Sequence, residues 1–497
     1  MSLFVDAAFS GTSAADLQRP GGSAGVASSA DEAQSRQRRL LLSDPRICAA
    51  VAGLDAVTLF SSAMAVWFFY HLGKGSDFAD WRVYLTTSLV LSAVFVVMAL
   101  SGRAYNFIGE LRQPEAVAET LKCFMVTFAA YVTLLFFFRN GATFSRATLA
   151  GQFVVCGSLL ICARSLALRL LQSHVRRGKL LTYRAVLIGE TDVINRFRTG
   201  LAAGKRGVEV VATFNVAPDG TEVENLARMV FECRGLQPDR VVVLLPDRAR
   251  NLTQMIVRGL AKLPVSVLVA PGLALPWGEK SRVVEFAGTP MLRVVAKPLS
   301  SADRVMKRMF DAVVAGSALV VLAVPLLLLM TAIRIDSPGP AMFRQRRRGF
   351  NQQEFTLYKF RTMSVAAPGS VFQQTLRADP RITRLGAMLR KYNLDELPQL
   401  VNVLRGEMSL VGPRPHAVEH DDQYVTEIEA YANRNKMKPG ITGLAQINGC
   451  RGATETTDQM ADRVRLDVAY VDSWSIVLDL KIIIMTVFSP HAYRNAF

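Results

Sequence analysis

The chain has 497 residues, 51% of them hydrophobic and 20% charged, and carries a formal net charge of +17. That length allows several domains, and the composition is too apolar for an ordinary soluble protein. The basic excess suits anionic lipid or phosphorylated small molecules, and its clustering beside apolar runs argues against nucleic acid as the partner.

Residues 1–43 are rich in Ser, Ala and Gly and include Arg36, Arg38 and Arg39. They read as a disordered cytoplasmic tail rather than a signal peptide. Four apolar segments follow within residues 44–172, at Ile47 to Tyr70, Val83 to Leu100, Leu121 to Phe138 and Thr148 to Ala163. Each is near the ~20 residues that cross the hydrocarbon core, so a bundle of four transmembrane helices is predicted. The last is the shortest, with a helical continuation through Leu166 and Leu168. Arginines precede the first segment and follow the fourth, which places both ends on the cytoplasmic side. The spans carry almost no ionisable group in their centres, which argues against a transporter.

Residues 183–297 change character. Short β-branched runs at Ala185 to Ile188, Val208 to Phe214, Val241 to Leu245 and Val265 to Val269 alternate with helical stretches. This spacing predicts a Rossmann-like α/β domain with a parallel sheet. The first strand ends at Gly189-Glu190-Thr191, without the further glycines that let a backbone approach a pyrophosphate. The domain is therefore read as structural or regulatory, not as a dinucleotide site that drives chemistry. The six cysteines of the chain (Cys48, Cys123, Cys156, Cys162, Cys233 and Cys450) form no C-x-x-C pair, and fit neither a disulfide framework nor a zinc site.

A fifth apolar run spans Ala312 to Ile333 and contains Pro325. Basic residues stand on both flanks, and a proline removes a backbone donor and bends a helix. The residues alone leave a simple crossing and a re-entrant helix equally open. Beyond it lie Ser337-Pro338-Gly339-Pro340, Lys359-Phe360-Arg361-Thr362-Met363, Asp379-Pro380-Arg381 and Asn393-Leu394-Asp395-Glu396-Leu397-Pro398-Gln399. Helical spacing at Leu397, Leu400, Val401 and Leu404 predicts that Asp395 and Glu396 open a helix, with Pro398 in its first turn. An isolated Asp-Glu pair there would be a capping device. Among Lys359, Arg361, Arg381 and Arg414 the pair acquires another use. Mg²⁺ takes one or two carboxylates plus substrate phosphates, arginines clamp phosphates, and a carboxylate can attack phosphorus to give an acyl phosphate. His416 and His420 lack metal-ligand spacing and read as structural or substrate-lining.

The ordered set Lys307-Arg308-x-x-Asp311, the proline-bearing apolar run, the motifs above, Gly412-Pro413-Arg414-Pro415 and Lys438-Pro439-Gly440-Ile441-Thr442-Gly443 resembles the bacterial sugar transferase family, the monotopic polyprenyl-phosphate phosphoglycosyl transferases. The resemblance covers residues 300–497, and the preceding helices and α/β domain resemble the large members. It implies a mainly helical catalytic module with a re-entrant membrane helix over residues 304–334, broken at Pro325. It further implies transfer of sugar-1-phosphate from a UDP-sugar to undecaprenyl phosphate with release of UMP. Asp395 would be the nucleophile, Glu396 would help to hold Mg²⁺, and Lys359, Arg361, Arg381, Pro413 and Arg414 would bind substrate phosphate. The catalytic module would lie on the cytoplasmic face of the inner membrane of a bacterium, and a homodimer is implied. The C-terminal segments look most like glucose phosphotransferases of the family. Asn435 departs from that pattern, which usually has histidine there, and leaves galactose open.

Overall fold

The computed structural model describes residues 44–74, 81–102, 104–105, 113–137, 145–178, 180–203, 207–216, 223–270, 281–364, 379, 381–428, 430–450, 452 and 456–488. The N-terminal tail of the sequence reading lies outside them.

Helices α1 (Pro45–Lys74), α2 (Trp81–Ser101), α3 (Gln113–Phe137) and α4 (Arg146–Arg176) correspond to the four apolar segments. They share one core, in which Leu59, Phe95, Phe124 and Leu160 are buried, while Val57, Leu89, Phe136 and Val154 face outward. Helices apolar on every side belong in a membrane or a large core. The fourth, expected to be the shortest, is the longest of these four at 31 residues. It runs past Arg164, whose charge has a partner. Arg164 donates to Asp55 of α1 at 2.6 Å, and both side chains are fully buried. Tyr105 also donates to Asp55, at 2.9 Å. The spans therefore hold an ion pair that sequence inspection passed over. Two opposite charges far apart in sequence look like two isolated defects until the fold joins them.

The middle of the chain forms β1 (Tyr183–Gly189), α5 (Thr191–Ala203), β2 (Val208–Asn215), α6 (Val223–Leu236), β3 (Arg240–Leu244), α7 (Arg250–Leu260), β4 (Ser266–Val269), β5 (Arg282–Phe286) and β6 (Thr289–Val295). The sheet order is β2-β1-β3-β4-β6-β5. The first four strands are parallel, as their β-branched runs predict. The sheet as a whole is mixed, because β5 and β6 add an antiparallel hairpin to β4. That hairpin turns at Ala287 and Gly288, both at positive φ (53° and 81°), as a two-residue hairpin turn requires. Alanine in that conformation gives little sequence signal. At the end of β1, a Cβ on Gly189 would meet the Leu244 carbonyl oxygen at 2.2 Å, so this glycine serves strand packing. Arg248 donates to Glu190 beside it at 2.8 Å.

Helix α8 (Ser301–Asp336) opens on a capping box, in which Ser300 accepts from the Asp303 amide and Asp303 accepts from the Ser300 amide. Pro325 lies inside it. Helices α1 to α4 and α8 are the five, among the described residues, that are long and apolar enough to cross a membrane. Thirty-six residues extend about 54 Å as a straight helix, well beyond the ~30 Å hydrocarbon core. Both parts of α8 pack on the C-terminal module. Phe310, Val314 and Leu319 join a core with Val403, Met408 and Ile482, and Leu326, Met330 and Ile333 join Ala341, Phe360 and Leu389. Between them Val320, Val321 and Val324 are largely exposed.

The module continues with β7 (Met342–Arg348), β8 (Glu354–Phe360), α9 (Arg384–Lys391), α10 (Gln399–Arg405), β9 (Ser409–Val411), α11 (Val418–Glu427), β10 (Gly440–Thr442), α12 (Leu444–Ile447), α13 (Thr457–Ser473) and α14 (Ile476–Phe488). It is mainly helical, with an antiparallel β7–β8 hairpin and a short parallel β9–β10 pair. Lys307 and Asp311 lie one turn apart on α8 and face the module. Lys307 donates to Asp479 at 2.7 Å and to the Val411 carbonyl at 3.0 Å. Asp311 accepts from Ser409 Oγ and the Leu410 amide, both at 3.1 Å. Stranding either member of the buried Lys307–Asp479 pair would cost about 3–5 kcal/mol. Arg308 donates to the Val403 and Leu404 carbonyls in the last turn of α10.

Candidate active site

The carboxylate pair sits between α9 and α10. Asn393 takes a left-handed conformation at φ 57°, which asparagine tolerates better than most residues. A single 3₁₀ turn over Leu394–Glu396 follows, and α10 begins only at Gln399, with Pro398 as its N-cap. The pair therefore stands in a turn ahead of the helix and does not open the helix itself. Asn402 fixes this turn's register. It accepts from the Tyr358 amide at 3.2 Å and donates to the Thr356 carbonyl at 2.7 Å, which clamps α10 to β8. Lys359, the next residue on β8, is thereby aligned with Glu396.

The two carboxylates are both buried and have opposite surroundings. Glu396 accepts from Lys359 at 2.7 Å on Oε1 and from Arg414 on both oxygens, at 2.5 and 3.1 Å. Burial works to raise its pKa, but Arg414 and Lys359 overcome that and hold it well below the usual carboxylate range. Asp395 has no hydrogen-bond partner for its carboxylate among the described residues. Burial pushes its pKa up, and the negative charge of Glu396 adds to the rise, against Lys359, Arg414 and Arg390. One carboxylate is locked as an anion among cations; the other is unengaged.

Among the sequence-predicted site residues, Lys359 and Arg414 meet the pair, and Pro413 borders the same cleft as Arg414. Arg361 does not contact the pair. Its guanidinium donates to the Ile333, Ser337 and Pro338 carbonyls, so it ties the C-terminus of α8 to the Ser-Pro-Gly-Pro turn. Arg381 is occupied by Asp379, with contacts of 2.9 and 2.6 Å. Pro325 lies inside α8. The side chain of His420 lies outside the described residues. His416 is buried, and desolvation with Arg434, Arg463, Arg347 and Arg414 around it holds its pKa well below the ordinary value.

Sequence reasoning missed three supports. Arg390 acts on the Asp395 charge and donates to Thr362 at 2.9 Å. Asn402 sets the register just described. Arg434 is fully buried, bonds Asp467 at 3.1 Å and donates to the Arg414 carbonyl at 2.5 Å. The signal for Arg390 was present, since α9 carries Arg390 and Lys391 just before the turn. Nothing local marks Asn402 or Arg434, whose partners Tyr358, Thr356 and Asp467 lie more than thirty residues away.

Fold and site together define a protein that sets a buried, cation-ringed carboxylate pair beside apolar helices long enough to enter a membrane. The sequence model described as Bacterial sugar transferase matches residues 302–491, and the one described as CoA-binding domain matches residues 110–271. Several relatives carry the name UDP-glucose:undecaprenyl-phosphate glucose-1-phosphate transferase. The Escherichia coli (strain K12) protein is 39% identical over 59% of this chain and 64% of its own length. The Klebsiella pneumoniae protein is 40% identical over 55% of this chain and 58% of its own. The Xanthomonas campestris pv. campestris protein is 31% identical over 84% of this chain and 88% of its own. The matches to the first two thus span less than two thirds of those proteins. The chain belongs to the bacterial sugar transferase family.

Proposed function

We propose that this protein transfers glucose-1-phosphate from UDP-glucose to undecaprenyl phosphate, releasing UMP, at the cytoplasmic face of a bacterial inner membrane. The observation that carries the reading is the Asp395–Glu396 pair, with a buried, unbonded carboxylate beside one held by Lys359 and Arg414. Asp395 attacks the phosphorus that bears the sugar, and the bond from that phosphorus to the UMP oxygen breaks. UMP leaves, and the sugar phosphate is held as an acyl phosphate on Asp395. An oxygen of undecaprenyl phosphate then attacks the same phosphorus, restores the carboxylate and yields the sugar diphospho-lipid. Phosphoryl transfer depends chiefly on placement and charge stabilisation, which Lys359, Arg390 and Arg414 are positioned to supply.

Among the described residues no three acidic, His or Cys side chains converge. The described site offers the two carboxylates to a cation, and this donor chemistry suits Mg²⁺ shared with substrate phosphates. Asp395 and Glu396 would hold it, and when bound it would neutralise charge on the diphosphate. Residues 301–336 are read as a re-entrant helix bent at Pro325. Support comes from the two ends of α8, which pack on one module on either side of an exposed apolar stretch. The names of the relatives favour glucose over galactose. The test is UMP release by the purified protein with undecaprenyl phosphate and each of UDP-glucose, UDP-galactose and UDP-N-acetylglucosamine. The expected result is turnover with a hexose donor, UDP-glucose first; preference for the N-acetylated donor would overturn the sugar assignment.

A further inference from the structure

One half-buried cation of the module lacks a counter-charge. The Lys438 ammonium has no hydrogen-bond or ion-pair partner among the described residues. Its neighbour is a second cation. A Cβ on Gly406 would stand 3.4 Å from Lys438 Nζ and 3.6 Å from Arg308 Cζ, so the two positive groups face each other across one glycine. Arg308 donates to the Val403 and Leu404 carbonyls, which carry no net charge, and has no ion pair among the described residues. Burial and then the Arg308 charge hold the Lys438 pKa below its ordinary value, against Asp311. Asp311 is itself taken by Ser409 Oγ and the Leu410 amide. Two cations drawn together and partly out of water are unfavourable unless an anion joins them.

The pair sits where a headgroup layer meets apolar surface. Arg308 is the last basic residue before the apolar run Ala312 to Ile333. The exposed Leu404 lies 3.9 Å from the position a Cβ would take on Gly316, two turns further along α8 and inside that run. The C-terminal end of α10 therefore lies along the start of the run, with the two cations at its aqueous end. We infer that Arg308 and Lys438 bind the phosphate of an anionic phospholipid of the bilayer. Basic pockets beside membrane helices take anionic headgroups, and arginine and lysine form charge-assisted bonds to phosphate oxygens. The phosphate of the acceptor lipid belongs elsewhere, because it must reach phosphorus at Asp395. Asp395 precedes α10, whose seven residues span about 10 Å, and the cations lie past its other end. Such a site requires only that α8 enter the membrane, whatever reaction the carboxylates perform.

The test is binding of phosphatidylglycerol to the full-length protein in a neutral detergent, read by native mass spectrometry and by the shift in Tm. Wild type, Lys438→Met, Lys438→Arg and Arg346→Gln are compared. Methionine keeps most of the side chain's length and strands no partner, so Lys438→Met without lipid is expected to be at least as stable as wild type. Arg346→Gln removes a largely exposed charge elsewhere in the module and controls for general attraction to a basic protein. The expected result is a bound phosphatidylglycerol whose affinity falls about 10-fold or more in Lys438→Met, with its rise in Tm lost, and is kept in Lys438→Arg and Arg346→Gln. Equal affinity in Lys438→Met would overturn the inference, as would an equal loss in Arg346→Gln or a Lys438→Met less stable than wild type before lipid is added. Inorganic phosphate, which lacks tails, is expected not to displace the lipid. Displacement by inorganic phosphate would make this a soluble-anion site, and displacement by equimolar undecaprenyl phosphate would make it the acceptor's. Either would overturn the assignment to a bilayer phospholipid.

Discussion

Asp395 and Glu396 are adjacent in sequence, yet their environments push their pKa values apart. Glu396 stays ionised at all ordinary pH, because Arg414 and Lys359 outweigh its burial. Asp395 is raised by burial and by the neighbouring anion. A protonated carboxyl is no nucleophile, so activity is present above the raised pKa and lost as pH falls through it. The acid limb of kcat/KM should lie above the ~3.9 of a free aspartate. Arg390 favours the ionised form, so Arg390→Gln should move that limb to higher pH. A limb at or below the free-aspartate value, or unmoved by Arg390→Gln, would contradict the assigned role. The sequence showed the pair and two of its cations, because Leu-Asp-Glu-Leu-Pro-Gln and Gly-Pro-Arg-Pro are compact motifs. It could not separate Lys359 and Arg414 from Arg361 and Arg381. All four are basic residues in motifs, and only the fold reveals that Arg361 caps α8 and Arg381 is held by Asp379.

The element on which the proposed approach to a lipid substrate turns is α8. Its apolar composition and Pro325 were plain in the sequence, and the basic flanks fitted one membrane face. The anchoring was not legible, because Lys307 and Asp311 find their partners about a hundred residues or more downstream. A re-entrant α8 keeps residues near 340 on the same face as the start of α1, which the arginines preceding it in sequence mark. A cysteine introduced near residue 340 should resist a membrane-impermeant thiol reagent added to intact cells and react after permeabilisation. Efficient labelling from outside would mean that α8 crosses. Elsewhere element existence was read more reliably than element extent. The parallel strands stood out by β-branched runs, whereas α4 was followed only through Leu168 although it runs on to Arg176, and the β5–β6 hairpin was missed for want of turn residues.

At the scale of the molecule, three parts meet around the start of α8. Ala302 and Val305 join the core of the four apolar helices, and Asn351 of the β7–β8 loop donates to the Arg234 carbonyl at the end of α6 at 3.3 Å. The α/β domain thus touches the hairpin that carries Lys359, a contact that no local pattern foretells. The carboxylate pair itself takes its contacts from the module after residue 300, in keeping with a middle domain that supports the chemistry and does not perform it. The account turns on a covalent sugar phosphate at Asp395. The most direct measurement mixes the full-length protein with UDP-glucose labelled in the sugar, without undecaprenyl phosphate, and follows UMP and protein-bound label. A burst of UMP of up to one equivalent, with label retained on the wild type and absent from Asp395→Asn, is the predicted result. UMP release that requires undecaprenyl phosphate, with no label on the protein at any time, would contradict it.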